Sequence, residues 1–252
     1  MDIQETIQKA IVSRREMLKT MGAAGLTTMF SRLAGAQQAP QTPEGANFVF
    51  TRLIYDGGDW NTDTLTEGKL NGAEIHLMNR LNALSNHNLQ AFEQEHSIRA
   101  DSDDVFEHPF LYVTGHGDVD LNPQGRENVK RIIQNGGFLL ADNCSGAKDV
   151  GFDRGFRTQL QLMFPEKPLE QLPMSHPVFS SLHKIDRVQG GDKLLDPFLE
   201  GVDIDGRTAI IYTRNDLGCA WEGHHCLPGG EAQRTHAFKM GMNIVFYALS
   251  GI

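Results

Sequence analysis

Along this 252-residue chain, short continuous apolar runs alternate with stretches of helical period, the pattern of strands threaded between helices. Asn47 to Tyr55 (NFVFTRLIY), rich in β-branched and aromatic residues, predicts a first strand. In residues 71–84, Ile75, Met78, Leu81 and Leu84 fall on one stripe of a helix. A short extended piece is expected at Ser97 to Arg99, before an acidic turn at Asp101, Asp103 and Asp104. Pro109 to Thr114 (PFLYVT) and Phe138 to Ala141 (FLLA) lack alternation, as strands covered on both faces do. Between them Asn122 supplies an N-cap, Pro123 a first helical residue, and Gly136-Gly137 the stop.

Another helix is expected from Phe152 to Phe164, ended by Pro165. Pro168 to Asp203 reads as loop-rich, with room for one strand at Lys184 to Val188. Arg207 to Thr213 predicts the last strand, Gly218 to Gly230 an irregular stretch, and Glu231 to Leu249 a closing helix. The order implies an α/β fold, a mostly parallel open sheet with helices on both faces. Ligands of such sheets sit beyond the carboxyl ends of the strands.

Residues 1–36 fall outside that pattern. Ser13-Arg14-Arg15-Glu16-Met17-Leu18-Lys19 matches the twin-arginine export motif, and a weakly apolar run, Met21 to Phe30, follows it. Ala34-Gly35-Ala36 is a small-x-small cleavage site, with Arg32 just before it. The expectation is a signal peptide over 1–36, a proline-bearing linker over 37–46 and one α/β domain over 47–252. The mature chain would be exported already folded, to the periplasm or beyond.

Charge and composition narrow the partners. The formal net charge of −9 becomes −11 without residues 1–36, which carry five basic and three acidic residues. An acidic surface of that size argues against nucleic acid. After the signal, no apolar run approaches the 18 or so residues of a membrane span. Three cysteines, Cys144, Cys219 and Cys226, leave at least one thiol unpaired.

Four predicted strand ends deliver chemistry-bearing loops. They hold Asp56, Asp59 and Trp60; then His116 and Asp118; then Asp142 and Cys144; then Asn215, Asp216, Cys219 and Glu222. Cys144 follows a buried strand and precedes a helix, where a nucleophile elbow presents its side chain and a thiol pKa is lowered. His116, His224, His225 or His236 would serve as its base. A small buried cysteine packing under the loop is the plainer alternative. Cys219, His224, His225 and Cys226 are spaced closely enough to hold a zinc-like ion. A disulfide between Cys219 and Cys226 competes with that reading. Asp56, Asp59, Trp60, Asp118 and Glu222 are candidate ligand-binding residues; no cofactor is specified.

The phrases FVFTRLIYDGGDW (48–60), HPFLYVTGHGD (108–118), NGGFLLADNCSG (135–146), FDRGFR (152–157), SHPVF (175–179) and, more weakly, NDLGCAWEG (215–223) resemble a bacterial family of domains of unknown function, DUF4159. The resemblance spans nearly all of the mature chain. It implies a fold similar to class I glutamine amidotransferases and flavodoxin-like domains, in which a G-x-C-x-G elbow bears the nucleophile. Here Asp142 replaces the first glycine of that elbow, and the later pair comes in reversed order, as Glu222 and His224. Glutamine hydrolysis is therefore not what the resemblance implies.

Two functions follow. The first is a module that binds a small ligand or an envelope sugar, peptide or protein at the carboxyl edge of the sheet. The alternative is a periplasmic hydrolase or transferase with Cys144 or Asp142 as nucleophile or acid/base, His116 as proton partner, and the Gly115 and Gly117 amides steadying charge.

Overall fold

The computed structural model describes residues 46–64, 72–85 and 89–250. The expected signal peptide and nearly all of the linker lie outside the described residues. Among the described residues seven strands form one sheet, β1 (Thr51–Ile54), β2 (His96–Arg99), β3 (Phe110–Gly115), β4 (Phe138–Asn143), β5 (Glu170–Gln171), β6 (Glu200–Ile204) and β7 (Arg207–Thr213). Their spatial order is β2-β1-β3-β4-β7-β6-β5. The first five strands of that order pair parallel, whereas β7, β6 and β5 pair antiparallel. The fold is thus α/β and mostly parallel. Its parallel part has the 2-1-3-4-5 order of flavodoxin-like sheets.

Among the described residues five α-helices cover the sheet: α1 (Ala73–Leu84), α2 (Pro123–Gln134), α3 (Gly151–Met163), α4 (Leu217–Glu222) and α5 (Gly230–Ser250). Side chains alternate across each strand, so β3 serves two cores at once. Phe110 and Tyr112 join Phe50, Phe138, Leu140 and Ile211 in the layer beneath α1, α4 and α5. Leu111 and Val113 join Leu53, Leu139, Ala141 and Ile210 in the layer beneath α2 and α3. Both faces being covered is why these strands read as unbroken apolar runs.

Local chemistry starts and stops these elements as expected in several places. The Asn122 side chain accepts the Gly125 amide at 2.9 Å, capping α2 ahead of Pro123. Two expectations fail. Lys184 to Val188 is not a strand; its backbone instead folds back locally, the Ile185 amide donating to the Phe179 carbonyl at 2.8 Å. The antiparallel strands lie at Glu170–Gln171 and Glu200–Ile204 instead. Part of the supposedly irregular stretch is helix α4, which begins at Asp216, its carboxylate accepting the Cys219 amide at 3.2 Å. Among the described residues no helix is long and apolar enough to cross a membrane.

Candidate functional site

The strand order reverses between β1 and β3, so the chain leaves their carboxyl ends in opposite directions and opens a crevice there. The loop after β1 crosses this crevice. It is fastened from below by Arg52, a fully buried guanidinium whose Nε donates to Glu74 Oε1 at 2.5 Å. Arg52 Nη1 donates to the carbonyls of Trp60 and Thr62 at 2.9 and 2.6 Å. Removing one partner of such a buried pair strands the other charge, a loss of about 3–5 kcal/mol.

That loop presents Asp59 to the end of β3. One carboxylate oxygen accepts the amides of His116 and Gly117 at 2.7 and 3.1 Å. The other meets His116 Nδ1 at 2.5 Å. The Gly117 amide is thereby committed to Asp59 rather than to a substrate anion. Gly115 makes the turn possible: its φ is +152°, and a Cβ there would lie 2.2 Å from Tyr55 Oη and 3.1 Å from Asp59 Oδ1.

Cys144 stands at the end of β4, its amide donating to the Gly115 carbonyl at 3.2 Å. The nearby Cys144 thiol, opposed by partial burial and reinforced by Asp59, pushes the His116 pKa up to about 10. Asp59 is itself held below the usual carboxylate range: burial pushes it up, but the hydrogen bonds from His116 and Gly117 outweigh that. Asp59 and His116 thus form an acid–imidazole pair at the end of β3, next to the strand end that carries Cys144.

Behind the thiol lies a buried, largely acidic cluster. Cys144 Sγ is 3.4 Å from Cys219 Sγ, which approaches Asp63 Oδ1 to 3.3 Å. Cys144 Sγ and Asp63 Oδ2 are 3.9 Å apart. Lys193 Nζ donates to Asp216 Oδ2 at 2.6 Å and to the Cys144 carbonyl at 2.8 Å. One donor atom each from Asp63, Cys144, Asp216 and Cys219 lies within 4.8 Å of every other, and all four residues are buried. Among the described residues this is the one such group of three or more candidate metal donors. The Cys144 contact first, then burial and the nearby Asp216 and Asp63, push the Cys219 thiol far above its usual range.

Asp142, inside β4, accepts the amides of Leu217 and Gly218 at 3.0 and 2.7 Å and so fastens the start of α4. Burial, aided by Asp216 and opposed by those two amides, pushes its pKa up to about 7. Burial likewise raises Asp216, with Lys193 opposing.

The structure therefore brings Cys144, His116, Asp142 and Asp59 to one rim. The other sequence candidates stand apart from the thiol. Asp56 is exposed and 3.5 Å from Arg99, and Asp118 pairs with Arg154 at 2.5 Å. Trp60 lines a separate small cavity with Arg52, Glu74 and His96. Glu222, the last residue of α4, meets His224 at 3.2 Å beside an open cleft bordered by His76, Arg80 and Trp221. His236 is buried elsewhere, its Nε2 accepting the Gln189 amide at 3.0 Å.

The donor set Cys219, His224, His225 and Cys226 does not converge. Helix α4 turns Cys219 inward to Cys144, while Cys226 is sealed in the hydrophobic layer and His225 is exposed. For the same reason Cys219 and Cys226 are not a disulfide; all three cysteines are free thiols. Sequence reasoning missed Asp63 and Lys193 and gave no role to Asp216. Asp216 had a signal, an acid directly before an apolar start, whereas Asp63 and Lys193 had none.

A family model described as a domain of unknown function (DUF4159) matches residues 49–249, and the chain belongs to that family. No curated protein matches the chain.

Proposed function

We propose that this DUF4159 protein is exported folded by the twin-arginine route, binds a small ligand or envelope component at the carboxyl rim, and acts on the ligand's carbonyl as a thiol hydrolase or transferase. The observation that carries the reading is the Asp59–His116 pair at the β1/β3 crevice, one residue beyond the Gly115 carbonyl that accepts the Cys144 amide. His116 takes the Cys144 proton, and the sulphur attacks the carbonyl carbon of an amide or ester. The amine or alcohol leaves with the proton from His116, and a thioester remains. Water or a second acceptor then resolves the thioester, giving its proton back through His116 and restoring the thiol. Asp59 is a positioning residue, holding the ring by Nδ1.

A second reading, a binding module without turnover, is favoured by one observation: Cys144 is only 1 % exposed. Iodoacetamide labelling and turnover of a panel of chromogenic amides and esters separate the two. The enzyme reading expects Cys144 to label faster than Cys226, and both Cys144→Ser and His116→Ala to fold normally and lose at least a hundredfold in kcat/KM. Labelling unaffected by His116→Ala, with no turnover in the panel, leaves the binding module.

A further inference from the structure

We propose that Asp63, Cys144, Asp216 and Cys219 form a binding site for a single zinc-like divalent ion directly behind the rim. The four donors come from three separate segments, the loop after β1, the end of β4 and the start of α4, and converge in a place closed to solvent. Two thiolates and two carboxylates suit a borderline ion such as zinc, which takes sulphur at about 2.3 Å and oxygen at about 2.0–2.2 Å. A tetrahedron of those bonds places two sulphurs about 3.7 Å apart and sulphur and oxygen about 3.5 Å apart. The sulphur pair, at 3.4 Å, is a few tenths of an ångström closer than that, and the contacts of the two sulphurs with the two Asp63 oxygens, at 3.3 and 3.9 Å, fall on either side of the sulphur–oxygen distance.

The surroundings point the same way. Asp63 is buried, its recorded side-chain partners are the two thiols and the Thr62 hydroxyl, and among the described residues no lysine or arginine forms an ion pair with it. Asp216 is oriented from outside the group by Lys193, and within it by the backbone amide of Cys219, the kind of support that metal ligands need. The ion enters as the two thiols release their protons to solvent, leaving the site with four protein ligands.

One consequence rests on the thiol reading above. An ion that holds the Cys144 sulphur removes it from use as a nucleophile, so the loaded protein is the resting form.

The test uses the folded full chain, stripped with chelator and titrated with Zn2+ or Co2+. We expect one equivalent bound and, with Co2+, a thiolate charge-transfer band in the near ultraviolet. Cys219→Ser and Asp63→Asn should weaken binding at least tenfold, whereas Cys226→Ser, which removes a buried thiol outside the group, should not. Should the ligand variants fail to fold, the wild type still decides: zinc should slow alkylation of Cys144 at least tenfold, and chelator should restore it. Binding of no ion, cobalt bound without thiolate absorption, equal loss in Cys226→Ser, alkylation indifferent to zinc, or a Cys144–Cys219 disulfide in the isolated protein overturns the site. Turnover by the stripped chain without any ion binding sinks the metal site alone; an ion bound tightly, with no turnover after stripping, sinks the thiol enzyme alone.

Discussion

At residue scale, the site depends on how closely backbone can approach buried acid. A Cβ on Gly218 would lie 2.8 Å from Asp63 Oδ2, 2.9 Å from Tyr112 Oη and 3.5 Å from Asp142 Oδ2. Each of those atoms is held, so the methyl has nowhere to go. Gly218→Ala should destabilise the fold by about 1–3 kcal/mol in urea unfolding. An unchanged midpoint would mean the loop of Asp63 yields freely. Much at this scale was legible beforehand: a thiol after a buried strand, and His116 at the next strand end. Asp63 was not, because WNTDT has no periodicity and no motif. Its position is fixed by Arg52, eleven residues earlier and on another element, through a hydrogen bond to the Thr62 carbonyl.

At element scale, the helices with the clearest ends in sequence are the ones the structure reproduces. Helix α2 starts at an Asn-Pro pair, and its cap bond satisfies an amide that would otherwise lack a partner. Asn122→Ala should lower stability by about 1 kcal/mol, and Asn122→Ser should restore most of it in the same melts. The missed elements follow from competing signals. Strand β6 is joined to β7 by Asp205-Gly206, both with positive φ, the Asp-Gly turn that a two-residue hairpin favours. The dipeptide was visible, but its strand mixes polar and apolar residues over only five positions, and the run Lys184–Val188 drew attention instead. Helix α4 was hidden because six residues are too few to show a helical period. It forms because Asp216 caps it and Asp142 receives its first amides, two contacts that exist only once β4 and β7 are paired.

At the scale of the whole molecule, stability should depend on pH through imidazoles that the fold keeps neutral. Burial, joined by the neighbouring His96, pushes His108 down to about 4. Burial, joined by Lys239 and Arg187, pushes His236 to about 4 as well. A base whose pKa falls on folding binds its proton more readily in the unfolded chain. Unfolding therefore gains ground as the pH drops from the ordinary histidine value of 6.5 towards 4, and below that the effect levels off. Asp153 acts below this window. Tyr212, the Asp149 amide and Arg157 outweigh its burial and hold it under the carboxylate range, so its contribution is lost as acid finally protonates it. Because both imidazoles are nearly buried, each should account for on the order of 1–3 kcal/mol between pH 7 and pH 4.5. Urea unfolding across that range should show stability falling with acid, and His108→Gln or His236→Gln should flatten part of the slope while lowering the plateau at pH 7. A slope that neither substitution changes would locate the acid sensitivity elsewhere, with His96, His176 and His183, which burial also pushes down, the next place to look.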